Sequence, residues 1–480
     1  MKNPNALIDR KRFIALLGCG ASQALVSRGA FGQGERSSGS PPNFVVIFTD
    51  DQGYNDIGCF GSPDIKTPNL DRMAADGMKF TDFYVPAPVC TPSRAALLTG
   101  CYPQRVGLPV VLFPNSTIGI NSEEITIAEL LKPRGYATAC IGKWHLGHLP
   151  PFLPTRHGFD YYYGLPYSND MRPTSKRPNY PALPLMRNEE VIEENPDQRQ
   201  LTERYTAQAI QFIKENKGRP FFLYLPHTFP HVPLYVSERF KGTSARGLYG
   251  DVIECIDWST GRILDTLKEL GLDDNTLVIF TSDNGPWLVM KENGGSAAPL
   301  RAGKNTTYEG GMRVPCIMRW PGKIPAGSVC SEIATTMDLL PTFAALAGGT
   351  PPTDRTIDGK DIRPLLAGTP DVKSPHEAFF YYGGGGYNLE AVRSGRWKLV
   401  FERTLKKEFP YRRIAGGGET VPEALYDLEK DIGEQNNLIA DHPDVADRLR
   451  ALAETMRADL GDSLHDRRGA NRRPPGRVSS

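Results

Sequence analysis

The chain has 480 residues, with 56 Lys plus Arg, 55 Asp plus Glu and a formal net charge of +1. That balance excludes the basic footprint of a dedicated nucleic-acid binder and the charge excess of an acidic disordered chain. Apolar residues at 40% and charged ones at 23% fit an ordinary folded protein of two or three domains, and 48 Gly and 41 Pro without a periodic tract indicate many shaped loops.

In chain order, the basic cluster Asp9-Arg10-Lys11-Arg12-Phe13 precedes a short apolar run to Leu17 and the small-residue triplet Ala30-Phe31-Gly32. This is the order of an export signal over residues 1–32, with an apolar run too short to span a bilayer. Arg10-Lys11-Arg12-Phe13 also resembles a twin-arginine signal with an inserted Lys, and Leu16-Leu17-Gly18-Cys19 an imperfect lipoprotein box that would carry a lipid on Cys19. The eight cysteines are scattered and none forms a C-x-x-C pair, which excludes zinc-ribbon and thioredoxin readings.

A linker over 33–42 leads to Asn43–Thr49, a β-branched and aromatic run that reads as a strand buried on both faces. Similar runs are 137–141, 221–225 and 277–281. Helical patterns lie between or after them at 125–132, 201–215, 252–270 and 338–347. The alternation predicts an α/β domain over 43–374 with a large, mostly parallel sheet flanked by helices, and ligands beyond the carboxyl ends of its strands. From about 375 the pattern becomes a hairpin (391–393 and 397–401), a strand at 425–428 and an amphipathic helix at 445–460. This predicts a smaller α+β unit over 375–465, followed by a disordered, basic tail over 466–480.

The chemistry-bearing residues cluster after the buried runs. Asp50-Asp51 and Asp283-Asn284-Gly285 each follow a strand. Together they offer three carboxylates and an amide oxygen, a set for a hard cation, although Asp and Asn are also common turn residues. In Cys90-Thr91-Pro92-Ser93-Arg94, Thr91 is the expected N-cap and Pro92 the first helical residue, so Cys90 precedes a helix N-terminus that favours an anion. The spacing differs from the Cys-x₅-Arg of thiol phosphatases, because position 96 is Ala. If the segment after Cys140 is extended, Lys143 and His145 share a face, pairing a fixed positive charge with a titratable one. His227 and His231 sit on a Pro-stiffened loop at the ligand edge, and Lys304 tips a Gly-flanked loop. Each of these, taken alone, is equally well a structural His, a strand end or a surface loop.

Taken together, the motifs identify a resemblance. The chain is similar to the type I, formylglycine-dependent sulfatases of the alkaline-phosphatase-like superfamily over nearly all of residues 43–465. Cys90-Thr91-Pro92-Ser93-Arg94 with Leu97-Leu98-Thr99-Gly100 fits the first sulfatase signature, and Gly135 to His145 the second. Pro166-Tyr167-Ser168 and Gly303 to Gly311 resemble arylsulfatase A and the lysosomal galactosamine-sulfate sulfatases most. The resemblance implies that a formylglycine-generating enzyme converts Cys90 to an aldehyde whose hydrate attacks sulfur. It implies one Ca²⁺ held by Asp50, Asp51, Asp283, Asn284 and the residue-90 oxygen. Arg94 would stabilise the modified residue, and Lys143 and Lys304 would grip sulfate oxygens. Ser168 would hydrogen-bond the sulfate region, His145 would assist elimination, and His231 would protonate the leaving oxygen. His227 has no counterpart.

Two rival readings remain open at the level of sequence. One is a phosphatase or phosphodiesterase of the same superfamily, which would use Ser or Thr and two zinc ions. The other is an inactive exported glycan-binding protein. The expected substrate is a sulfated carbohydrate, with aryl sulfates as surrogates, selected by loops such as 171–187, 287–299 and 401–421.

Overall fold

The computed structural model describes residues 39–383, 385–404 and 420–478. The expected export signal, Cys19 and most of the 401–421 loop lie outside the described residues. The central ten-stranded sheet contains β1 (Asn43–Thr49), β2 (Met78–Phe80), β3 (Ala137–Ile141), β4 (Tyr161–Gly164), β5 (Pro184–Arg187), β6 (Glu190–Glu194), β7 (Phe221–Pro226), β8 (Thr276–Ser282), β9 (Cys316–Arg319) and β10 (Ser328–Cys330), in the spatial order β10-β2-β9-β8-β1-β7-β3-β4-β5-β6. The five central strands from β8 to β4 run parallel, and β9, β5 and β6 add antiparallel neighbours at the flanks.

Burial along β1 explains the layering. All seven residues are buried, yet successive side chains enter different cores, as strand alternation requires. Phe44, Val46 and Phe48 join the core that holds Leu97 and Leu98 of α1 (Cys90–Thr99), and Val45 and Ile47 join the one that holds Tyr205, Ala209 and Ile213 of α2 (Leu201–Glu215) with Val252, Ile256 and Ile263 of α3 (Leu248–Glu269). Phe343 of α4 (Leu339–Leu346) stacks on Phe44 with ring centroids 4.2 Å apart.

The second unit is a four-stranded antiparallel sheet, β11 (Phe379–Tyr382), β12 (Leu389–Ser394), β13 (Trp397–Val400) and β14 (Ala424–Asp427), covered by α5 (Pro443–Leu460). Its apolar side chains, among them Phe379, Val392, Leu449 and Ala453, join the same core as Tyr84 and Leu97, so the two sheets share one apolar interior.

The tail corrects the expectation of disorder over 466–480. Among the described residues 466–478, Arg467–Arg468 pairs with Gly461–Asp462, and Gly476–Arg477 pairs with Ile118–Gly119. Arg473 binds the buried Glu124 carboxylate at 2.7 and 2.9 Å, and its N–H donates to Arg105 O at 2.6 Å. A composition reading treats this basic stretch as solvated because it cannot see the buried carboxylate that partners it.

Candidate active site

Strand register brings the acidic residues together. β1 and β8 run parallel with Thr49 opposite Ser282, so Asp50 and Asp283 leave neighbouring strands side by side. Asp283 N–H donates to Thr49 O at 3.0 Å, and Asp51 N–H donates to Asp283 Oδ1 at 3.1 Å. Asp51 adopts φ 67°, a left-handed turn that Asp tolerates better than most residues. On the other side of β1, Phe48 lies opposite Pro226, and Lys143 N–H donates to Pro226 O at 2.7 Å. Four parallel strands therefore deliver Asp50-Asp51, Asp283-Asn284, His227 to His231 and Lys143 to one sheet edge.

Cys90 is buried and opens α1. Val89, in extended conformation, takes the cap position instead of Thr91, so the helix begins earlier than the sequence suggests. The Thr91 hydroxyl is engaged elsewhere: it donates to His145 O at 2.9 Å and accepts from Leu112 N–H at 3.2 Å. No side chain caps the first turn, which leaves its N–H groups beside residue 90 for an anion. Burial pushes the Cys90 thiol up.

Around Cys90 lies a buried charge cluster. Arg94 Nε and Nη2 bind Asp283 Oδ2 at 3.1 and 2.8 Å, Nη2 lies 3.3 Å from Asp50 Oδ2, and Nη1 donates to Lys143 O at 2.8 Å. Lys143 Nζ donates to Asp50 Oδ2, and to Ser168 Oγ at 3.2 Å. Burial opposes the Asp50 charge, but Lys143 and Arg94 outweigh it and hold the carboxyl well below the usual range. Asp283 goes the other way: burial and the Asp50 charge push it up to about 7, against the pull of Arg94.

Lys304 Nζ binds both Asp51 carboxylate oxygens, at 2.5 and 2.7 Å. Burial opposes the Lys304 charge, and Asp51 beside it raises its pKa nonetheless. His231 Nδ1 donates to Val232 O at 2.6 Å, which turns Nε2 toward Asp51 Oδ2 at 3.7 Å. Burial and Lys304 push His231 down, while Asp51 and Asp50 draw it up. His145 departs from the extended geometry expected of it. At φ 61° it turns, so it shares no strand face with Lys143; its Nε2 donates to Leu112 O at 2.9 Å, and its buried Nδ1 has no hydrogen-bond partner. His227 packs against Tyr205, with ring centroids 6.5 Å apart. Both its ring nitrogens are buried without a hydrogen-bond partner, and burial pushes it down to about 3.

Sequence reasoning missed Trp287 except as the start of a loop. Its half-buried ring lies 5.7 Å from the His231 ring, and Lys304 Nζ stands 4.7 Å from its centroid. Only its position directly after Asp283-Asn284-Gly285-Pro286 hinted at the site.

The donor set suits a hard cation. Asp50, Cys90 and Asp283 offer ligand atoms within 4.8 Å of one another, as do Asp50, Asp51 and His231. Asp50 Oδ1 and Asn284 Oδ1 are buried acceptors without a hydrogen-bond partner. Buried oxygens of this kind are costly unless satisfied, and a cation between them would satisfy both.

Residues 42–349 match the family model described as Sulfatase, and residues 302–460 the one described as N-sulphoglucosamine sulphohydrolase, C-terminal. The chain is 42% identical over 452 residues to arylsulfatase A of Homo sapiens, covering 88% of each chain. It is 44% identical over 398 residues to N-acetylgalactosamine-6-sulfatase of Canis lupus familiaris, covering 78% of this chain and 74% of that one. The solved PsFucS1 sulfatase from Pseudoalteromonas sp. superposes with TM-score 0.78 at 29% identity, covering 87% of this chain and 91% of that one. The family model spans well over half of the sequence and takes in Cys90, both acidic pairs, Lys143 and Lys304, so the chain belongs to the sulfatase family.

Proposed function

We propose that this sulfatase removes sulfate from a carbohydrate ester, using a formylglycine made from Cys90 and one Ca²⁺ held by Asp50, Asp51, Asp283, Asn284 and residue 90. The observation that carries the reading is the convergence of Asp50 and Asp283 on Cys90, with Asp51 beside Asp50, the unpartnered acceptors Asp50 Oδ1 and Asn284 Oδ1, and the cations Arg94, Lys143 and Lys304 paired to these carboxylates. Such a set neutralises the charge a sulfate ester keeps on its equatorial oxygens as the bond breaks.

Once formed, formylglycine supplies a hydrated aldehyde, with one oxygen for attack on sulfur and a second through which sulfate is released. A bound Ca²⁺ supplies charge stabilisation for the sulfate oxygens. The remaining roles fall to this chain's own side chains. Arg94 aligns Asp283 through Nε and Nη2 on one carboxylate oxygen and offsets part of the cost of its charge. Lys143 and Lys304, each on one of two consecutive aspartates, are within reach of sulfate oxygens, and Ser168 steadies Lys143. His145 carries its proton on Nε2, so its buried, unpartnered Nδ1 is the ring atom that would accept one during elimination. His231 turns Nε2 into the site, and in the imidazolium form that atom can protonate the leaving oxygen.

A carbohydrate substrate is supported by the name of the relative N-acetylgalactosamine-6-sulfatase and by the Arg- and Lys-bearing 171–187 loop. Export as a mature chain beginning near Gln33, or lipid attachment at Cys19, follows from the N-terminal sequence. Among the described residues no helix is long and apolar enough to cross a membrane. A screen of desalted, aldehyde-bearing enzyme against sulfated oligosaccharides of known linkage tests the substrate class. Release from a defined sugar position is expected, and turnover of aryl sulfates alone would contradict it.

A further inference from the structure

Trp287 neighbours both groups that bracket the scissile bond in the proposed site. His231, assigned to the leaving oxygen, is 5.7 Å away ring to ring, and Lys304, assigned to the sulfate oxygens, stands 4.7 Å from the indole centroid. A sulfate ester held by Lys304 with its bridging oxygen toward His231 therefore brings the carbon on that oxygen within reach of the indole.

The segment that presents the ring is fixed and apolar. Lys304 N–H donates to Pro286 O at 2.9 Å, just before Trp287, and Met290 N–H donates to Trp287 O at 2.9 Å, just after it. A Cβ at Gly303 would clash with Pro286 O, so glycine there permits the two loops to touch. The next residues, Leu288 and Val289, are each 43% exposed and open a 3-10 turn over Leu288–Asn293. An indole face accepts ring C–H groups or an offset aromatic ring, and its negative quadrupole also steadies a nearby ammonium.

We propose that Trp287 is the platform that receives the ring of the leaving alcohol. The inference rests on the sulfatase reading above and makes Trp287 a specificity-determining residue. Stacking persists from bound ester to transition state, so its loss raises KM more than it lowers kcat.

The test compares wild type, Trp287→Ala and Trp287→Phe on galactose 6-sulfate and 4-nitrophenyl sulfate, with inorganic sulfate, which has no leaving group, as a competitive inhibitor. Trp287→Ala should raise KM by about 3- to 10-fold, the range of a lost ring contact, with the Ki of sulfate unchanged. Trp287→Phe should restore most of the loss. A KM change confined to one ester assigns the platform to sugars or to phenols. Unchanged KM on both, or a sulfate Ki that rises as much as KM, overturns the platform; the second result would mean that Trp287 acts only through Lys304. Should Trp287→Ala fail to fold, Trp287→Leu carries the same comparison, keeping apolar bulk without the π face. Wild-type, aldehyde-bearing enzyme that releases sulfate neither from these esters nor from any member of the oligosaccharide screen overturns the sulfatase-site reading itself, before any variant is made.

Discussion

Lys304 Nζ sits 2.5 and 2.7 Å from the two carboxylate oxygens of Asp51, while Lys143 Nζ pairs with the preceding Asp50. The two lysines thus arrive from opposite sides of β1 on consecutive aspartates. In the proposed function each would turn its charge toward sulfate when substrate binds.

The basic groups should fail differently when removed. Lys304→Ala should raise KM and lower kcat together, because its charge acts in both ground and transition states. His231→Ala should chiefly lower kcat, and its effect should follow the leaving group. It should be small on 4-nitrophenyl sulfate, whose phenolate leaves readily, and roughly 10²–10⁴-fold on a sugar ester, as general acids contribute. An equal loss on both substrates would remove His231 from the acid role, and His227→Ala would then be measured in the same way.

Metal analysis after mild dialysis should find about one calcium per chain, since the set is rich in oxygen donors. Asp283→Ala should lose metal and activity together and leave Arg94 without the carboxylate oxygen that its Nε and Nη2 share. Stoichiometric zinc without calcium would contradict this, and would turn attention to Asp50, Asp51 and His231, which form the nitrogen-containing alternative.

Lys398 ties the Lys304 loop to the second sheet. Its buried Nζ donates to Thr307 O at 2.8 Å and pairs with Glu309 at 2.9 Å and Glu434 at 2.8 Å. Burial opposes the Glu309 charge, yet Lys398, Arg393 and Arg313 hold its carboxyl down at about 2. Lys398→Met should cost about 3–5 kcal/mol by stranding buried carboxylates and raise KM by loosening the loop. Thermal melting and steady-state kinetics check both effects, and an unchanged melting temperature would contradict the first.

His157 gives a pH signature remote from the site. Burial pushes it from 6.5 down to about 4, with its ring near Trp144 at 6.3 Å between centroids. The unfolded chain binds this proton first, so stability falls as pH drops through the window from 6.5 to 4, by about 3 kcal/mol in full. His157→Gln should flatten the stability curve over that window in denaturant titrations, whatever it does to stability at pH 8.

The long central elements were legible because burial on both faces leaves an unbroken apolar run. Asn43–Thr49, Ala137–Ile141 and Leu201–Glu215 have the bounds the sequence suggested. The three-residue strands Met78–Phe80 and Ser328–Cys330 were not, being too short to show a period. Strand ends told where to look and the sulfatase motifs told which residues matter. Neither could reveal that Thr91 leaves the cap to bind His145 O and Leu112 N–H, since those partners lie 54 and 21 residues away. Trp287, Arg473 and the Gly476–Arg477 pairing were hidden for the same reason: their partners are distant in sequence.

Residue 90 carries the proposed chemistry. Mass spectrometry of the peptide containing Cys90, from enzyme releasing sulfate at full rate, should find an aldehyde that traps a hydrazide, and Cys90→Ala should fold but release none. An unmodified thiol at position 90 in fully active enzyme would contradict it.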